Sequence, residues 1–199
     1  ESPWAPARKF YGEAWRRGLD IKLGLGAFIM HAWCMAPLSA LSVVVMYFLL
    51  RRLLADEPRA LWFALLYAFR TPLFFRTGFL NQNMLVGHCV LGAFAAFTLL
   101  ETRRAALIAG FLSGFALLLD YSGAAILVCL FLYAIVLSRD HVVPFASAAA
   151  PPVLLLWFYQ WASFGHPFYP GQHYMPPVEW IDKGYQGVSG PQLDLLWML

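Results

Sequence analysis

The stretch GLGAFIMHAWCMAPLSALSVVVMYFLL, residues 24–50, decides the class of fold, because its 27 residues carry no formal charge. A helix needs about 20 apolar residues to cross the ~30 Å hydrocarbon core of a bilayer, so this stretch is long enough to span with tilt. Pro37 lies inside the stretch and is expected to kink the helix. The charged pair Arg51–Arg52 ends the run.

The rest of the chain has the same apolar character. Of its 199 residues, 61% are hydrophobic and 13% are charged, against roughly 45–50% and about 25% in soluble domains. The mean hydropathy is +0.62. Polar or charged turns separate the further apolar runs at 61–69, 84–100, 105–119, 123–138 and 142–161. We therefore predict an all-α, polytopic transmembrane helical bundle of about five to six membrane helices, some of them short or broken.

The composition also divides the chain into four regions. Residues 1–23 mix aromatic and cationic side chains and predict an interfacial arm. Residues 24–161 form the bundle, with an interfacial turn at 70–83. Residues 162–192, rich in Gly, Pro, Tyr and His, predict an extracytoplasmic loop, and 193–199 begin a further apolar element.

Charge and motifs exclude several functions and suggest an orientation. A net charge of +3 is too weak for a nucleic-acid partner, and no HExxH, GxSxG or CxxC motif occurs. Cations in the turns at 51–59, 103–104 and 139 place those turns in the cytoplasm. The five Lys/Arg of the 1–23 arm oppose this orientation unless the arm is the distal end of an outer loop.

Polar residues on the predicted outer side are the candidates for a phosphate site. Arg70 and Arg76 flank a Thr-Pro-Leu-Phe-Phe segment, and a guanidinium grips a phosphate with parallel hydrogen bonds. Alternatively, both snorkel to lipid phosphates. Asn81 and His88 lie seven residues apart on one helical face, where His88 either lines a cavity or hydrogen-bonds within the bundle.

Two further sites suit a sugar and its acceptor. Asp120, beside Tyr121, would act as a general base if desolvated, or would accept the amide of Ser122 or Gly123 as a turn residue. The aromatic and polar loop at 164–174 suits sugar rings, although aromatic side chains also anchor loops at an interface. His166 and His173 in this loop are weak evidence for a metal. The ridge Ala106, Gly110 and Gly114 predicts close helix packing.

The order of several short motifs resembles a known family, the multi-spanning GT-C glycosyltransferases. The nearest group is the bacterial branch similar to protein O-mannosyltransferases and the lipid A aminoarabinose transferase. Arg70 departs from the glycine expected between Phe69 and Thr71. The motifs are Ala68-Phe69-x-Thr71-Pro72-Leu73-Phe74-Phe75, Leu80-Asn81-Gln82-Asn83, Asp120-Tyr121-Ser122-Gly123, and Phe164-Gly165-x-Pro167-Phe168 with Gly171 and Tyr174.

This resemblance implies an integral-membrane enzyme of the bacterial inner membrane. It would move a sugar from a polyprenyl-phosphate donor to a glycan, lipid or protein acceptor at the extracytoplasmic face, with a divalent metal as one way to steady the phosphate. The competing hypothesis is a non-catalytic membrane subunit or scaffold. The implied residues are Arg70, Arg76, Asn81 and His88 for the donor phosphate, and Tyr121, His166, Tyr169, His173 and Tyr174 for sugar or acceptor.

The family's principal catalytic acid lies in the first outer loop, and the acidic residues of the arm match no such motif. Glu1, Glu13 and Asp20 are those residues. We therefore expect the sequence to be a fragment whose main acid lies upstream of Glu1, with Asp120 as the acidic candidate within it.

Overall fold

The computed structural model describes residues 5–18, 20–78, 81–100 and 102–169, and every regular element within them is helical. The predicted all-helical fold class is therefore confirmed for this part of the chain. A π-helical turn at His31–Met35 joins α2 to α3, and a 3-10 turn at Arg139–His141 precedes α9. The α-helices are α1 (Ala5–Arg16), α2 (Ile21–Met30), α3 (Ala36–Leu54), α4 (Glu57–Arg70), α5 (Leu73–Arg76), α6 (Gln82–Leu99), α7 (Arg103–Leu119), α8 (Gly123–Leu137) and α9 (Val142–Phe164).

Helices α2 and α3 form one continuous rod of 34 residues through the π-helical turn. The Ala36 amide donates to the carbonyl oxygen of His31, five residues back. Pro37 follows directly, and a proline has no amide hydrogen and crowds the carbonyl four residues before it. The irregularity expected at Pro37 is thus a π-helical turn just upstream, and the helix continues through it.

The turn between α3 and α4 is built from the polar residues that interrupt the apolar pattern. Ala55 adopts a left-handed conformation, with φ 51°, and its amide donates to the carbonyl of Arg51. Asp56 then caps α4 by accepting the Arg59 amide at 3.0 Å. Glu57 lies 3.1 Å from the Arg51 guanidinium. These contacts reverse the chain and set α4 against α3.

Helix α7 lies at the centre of the bundle and packs on α6, α8 and α9. Its glycines allow direct backbone contact with α9, because a Cβ on Gly114 would lie 2.6 Å from the Ala149 oxygen and 2.8 Å from Pro152 Cγ. A Cβ on Gly110 would lie 2.9 Å from Phe145 Cα. The ridge that the sequence analysis assigned to packing, which also includes Ala106, is buried here.

Helix α6 links this centre to the rest of the bundle, because it packs on both α7 and α3. On the α7 side, a Cβ on Gly92 would lie 3.0 Å from Leu112 Cδ1. Near the carboxyl end of α6, the ring of Phe97 stacks on that of Phe145 with centroids 6.1 Å apart. The apolar core is therefore concentrated where α6, α7, α8 and α9 meet.

Three helical stretches of the described residues are long and apolar enough to cross a membrane: Ile21–Leu54, Gln82–Leu99 and Arg139–Phe164. This is compatible with an integral membrane protein. The expected count of about five to six crossings is not supported. Helix α8 is apolar but has only 15 residues, or about 22 Å at 1.5 Å per residue, against a ~30 Å hydrocarbon core. Apolar runs in the sequence outnumber the helices long enough to span.

Candidate functional site

The antiparallel helices gather the polar turns at two ends of the bundle. We call one the polar end: the segments 71–78 and 81–83, the 120–122 turn and the carboxyl terminus of α9. It is held together by hydrogen bonds from Gln82 to Asp120 and from Gln160 to Tyr121. We call the other the cationic end: the turns at 55–56, 102–103 and 138–141. Four of the predicted site residues belong to the polar end: Arg76, Asn81, Asp120 and Tyr121.

A cleft of about 780 Å³ opens at the polar end between α3, α4, α6 and the start of α8. Its walls are mainly apolar, and its polar side chains come from four separate elements. A volume of this size is typical of small-molecule sites, which combine apolar walls with a few polar groups. The polar lining residues are Tyr67, Thr71, Arg76, Asn83, His88 and Ser122.

A hydroxyl cluster, which we define as Ser39, Ser42, Tyr67, Thr77 and His88, joins three helices and the segment after α5. Thr77 Oγ1, which donates to the Leu73 carbonyl at 2.6 Å, lies 3.0 Å from Ser39 Oγ, and Ser42 Oγ donates to the Ser39 carbonyl at 2.7 Å. His88 Nε2 lies 3.4 Å from Ser39 Oγ, and Tyr67 donates to Ser42 Oγ at 3.4 Å. The sequence analysis missed the two serines, although their three-residue spacing in an apolar helix is the signal that places them on one face.

The four residues predicted for a donor phosphate are not all brought together. Arg76 and His88 line the cleft, and His88 also makes the contact within the bundle that was its alternative. Asn81 caps α6, with its Oδ1 accepting the Asn83 amide at 2.9 Å. Arg70 is exposed at the end of α4 and is not among the residues that line the cleft. Asn83, which was not predicted, does line it.

Asp120 is fixed in the turn between α7 and α8 by both of its carboxylate oxygens. Oδ1 accepts the Ser122 amide at 2.8 Å, and Oδ2 accepts from Gln82 Nε2 at 2.8 Å. Hydrogen bonds from Ser122, and to a smaller degree from Gln82, hold the pKa of this carboxyl below its ordinary value. The carboxylate is therefore ionised at neutral pH, and it makes the turn contact that was the alternative to a general base.

A second cavity, of about 440 Å³, adjoins Asp120 and is also lined by Gln82, Tyr121 and Tyr159. The buried side chain of Gln160 donates to the Tyr121 hydroxyl at 2.7 Å, which ties the turn to α9. Beyond α9, the rings of His166 and Tyr169 meet edge to face with centroids 5.4 Å apart, and both residues are exposed. The other two predicted sugar or acceptor residues, His173 and Tyr174, lie outside the described residues.

Within the described residues, no three His, Cys, Asp or Glu side chains come together as a group that could hold a metal ion. The chain matches no protein-family model, no curated protein and no solved structure. Its relation to the GT-C enzymes accordingly remains a resemblance carried by the motifs quoted above.

Proposed function

We propose that this chain functions as an integral-membrane glycosyltransferase of the GT-C type. It would move a sugar from a polyprenyl-phosphate donor to a glycan, lipid or protein acceptor at the extracytoplasmic face of a bacterial inner membrane. The observation that carries the proposal is the position of Arg76 in an apolar cleft of about 780 Å³ at the polar end. A cleft of this kind suits a ligand that joins a phosphate to a long hydrocarbon tail.

The cleft offers complementary groups to such a donor. The Arg76 guanidinium would hold the phosphate by charge-assisted hydrogen bonds, and these strengthen as negative charge develops on the leaving phosphate. The Asn83 amide and the His88 ring, which share the cleft, would orient the phosphate and the first sugar hydroxyls. The apolar walls from α3 and α6 would take the start of the polyprenyl chain.

The neighbouring cavity at Asp120 would receive the acceptor side of the reaction. Because its hydrogen bonds lower the pKa of this carboxyl, Asp120 is a weak base and a good hydrogen-bond acceptor. We therefore propose that it orients an acceptor hydroxyl, with Tyr121 beside it and with the rings of His166 and Tyr169 offering a stacking surface. In this proposal, no described residue is the base that removes the proton from the acceptor hydroxyl.

A binding experiment tests the phosphate assignment. The chain, reconstituted in phosphatidylcholine nanodiscs, is titrated with polyprenyl phosphate and with the uncharged polyprenol. We expect polyprenyl phosphate to bind at least about tenfold more tightly, the effect of one charge-assisted contact, and Arg76→Ala to remove that preference. Arg16→Ala is the matched control, since Arg16 is an exposed cation of α1 and is not a residue of the cleft. An unchanged preference in Arg76→Ala would contradict the assignment.

A non-catalytic membrane subunit is the second candidate, and a specific observation favours it. Both oxygens of Asp120 are already engaged in hydrogen bonds that hold the α7–α8 turn to α6. A scaffold of this kind would bind polyprenyl phosphate and polyprenol equally. The titration of the unsubstituted chain therefore separates the two hypotheses before any variant is made.

A further inference from the structure

The cationic end of the bundle holds its own cavity, which the proposed transferase does not use. It has a volume of about 650 Å³ and lies between the turn that joins α6 to α7 and the turn that joins α8 to α9. Its polar lining comes almost entirely from these two turns. The polar residues are Thr102, Arg103, Ser138, Arg139, Asp140 and His141.

The charges of this cavity are unbalanced. Among the described residues that line it, two carry a guanidinium group, Arg103 and Arg139, and one carries a carboxylate, Asp140. At the nearby α3–α4 turn, Arg51 pairs with Glu57. In contrast, neither Arg103 nor Arg139 forms an ion pair with any residue that the structure describes. The described lining residues therefore carry an excess of one positive charge, without counting the histidine.

Two further features favour an anion with hydrogen-bonding groups. Helix α7, 17 residues long, begins at Arg103 without a side-chain cap from Thr102. The Ala105 amide donates to the Thr102 carbonyl at 2.8 Å, and the positive end of the helix dipole adjoins the cavity. The His141 ring packs edge to face against Phe97, with centroids 6.2 Å apart. Its Nδ1 is buried and has no hydrogen-bond partner in the described part of the chain, although such atoms are normally satisfied.

We propose that this cavity binds the phosphodiester head group of an anionic phospholipid. Arg103 and Arg139 would hold the phosphate oxygens, and Asp140 would accept from a hydroxyl of the head group. A phosphodiester carries one negative charge, which matches the excess of the cavity. Both turns adjoin helical stretches that are long enough to span a bilayer, Gln82–Leu99 and Arg139–Phe164, and if these stretches span it, the cavity is at the depth of lipid head groups. The proposal rests on those spans and not on the transferase activity.

A lipid-preference experiment tests this site. The full chain is placed in phosphatidylcholine nanodiscs that contain a trace of phosphatidylglycerol with a fluorescent acyl chain, and energy transfer from tryptophan reports bound lipid. We expect a preference for phosphatidylglycerol over acyl-labelled phosphatidylcholine of about tenfold or more, reduced about tenfold by Arg103→Ala or Arg139→Ala. Asp140→Asn should instead strengthen binding, because it removes the one negative charge of the cavity.

Arg104→Ala is the matched control, because Arg104 follows Arg103 in the same helical turn and is exposed but does not line the cavity. It should change the preference less than about twofold. An equal loss in all three arginine variants would overturn the proposal in favour of diffuse surface charge. Arg139→Lys keeps the positive charge and should retain part of the preference for phosphatidylglycerol. It therefore distinguishes the loss of the cation from a folding defect caused by substitution at this position.

A second arm of the experiment separates a lipid from a soluble phosphate ester. Glycerol 3-phosphate is added to nanodiscs of phosphatidylcholine alone, and unfolding on heating is followed. If glycerol 3-phosphate protects the chain in an Arg139-dependent manner while phosphatidylglycerol is not preferred, the assignment to a lipid is overturned. If only the lipid is recognised, the assignment holds.

Discussion

Replacing Gly110 by alanine should force α7 and α9 apart. The new Cβ would lie 2.9 Å from both the carbonyl carbon and Cα of Phe145, with the carbonyl oxygen closer still. The obstacle is backbone, so no side chain can rotate away. Relief to an ordinary contact of about 3.4–4 Å requires the two helices to separate by roughly 1 Å, and a gap of this size forfeits about a quarter to a half of the dispersion energy of the contacts it opens.

We expect Gly110→Ala to lower the free energy of unfolding by about 1–3 kcal/mol, the usual cost of overpacking. Alanine has less backbone freedom than glycine in the unfolded chain and therefore loses less entropy on folding, which offsets this cost by up to about 1 kcal/mol. The matched control is Gly26→Ala in α2, where a Cβ meets nothing within 4 Å and only the favourable term applies. The two variants should therefore change stability in opposite directions.

The assay is reversible unfolding of the detergent-solubilised chain, with helical content followed by circular dichroism. Gly114→Ala adds a test of mechanism, since its Cβ would lie 2.6 Å from the Ala149 oxygen in the same interface. Once the helices have separated for one substitution, the second should cost less, so the double variant should be less than additive. If Gly110→Ala is as stable as Gly26→Ala, the contact between the backbones of α7 and α9 does not determine stability.

Three further predictions concern the polar end. Ser39→Ala should cost about 1 kcal/mol of unfolding free energy, because the Ser39 hydroxyl contacts the Thr77 hydroxyl and the His88 ring on other elements, whereas Ser113→Ala should be nearly neutral because Ser113 bonds only a carbonyl of its own helix. A thermodynamic cycle of Gln160→Leu and Tyr121→Phe should give a coupling of about 1 kcal/mol for their 2.7 Å hydrogen bond, and zero coupling would contradict it. Because the folded pKa of Asp120 is lowered, its carboxylate stabilises the fold above the unfolded pKa of about 3.9, and that stabilisation is lost as pH falls through the folded pKa. The difference in stability between the unsubstituted chain and Asp120→Asn should therefore shrink below about pH 4, and a constant difference down to pH 2 would refute the reasoning.

Much of the helical organisation follows from the sequence, because charged and polar residues end helices for local reasons. Asp56 is a good helix cap in any context, and the structure uses it as one. The division of the apolar residues 105–138 into two helices at Asp120 follows in the same way, since the side chain of Asp120 competes for nearby amides. The packing face of α7 is also predictable from the sequence, because small residues recur there at four-residue steps: Ala106, Gly110 and Gly114. This prediction does not require knowing which helix packs against that face.

The site was less predictable, because it depends on which helix lies beside which. Ser39 and Thr77 meet across 38 positions of sequence, and no local pattern pairs them. Arg70 and Arg76 looked equivalent in the sequence, yet only Arg76 lines the cleft, since Arg70 ends α4 whereas Arg76 belongs to α5, the separate short helix that follows the extended Thr71. The predicted number of spans is not supported by the described residues, because hydropathy measures apolar character, whereas a crossing also requires length, which α8 lacks.

The π-helical turn at His31–Met35 has a consequence for how the amino-terminal rod can vary. One extra residue in the turn rotates everything before it by about 100° around the helix axis relative to a regular α-helix. All the buried residues of the rod lie after the turn begins, and α2 has none. Insertion or deletion of a single residue in the turn would rotate the side chains of α2 around the helix axis, whereas α3 would keep its contacts with the other helices. The turn therefore allows the orientation of the α2 side chains to change between related sequences without any change in the packing of the bundle.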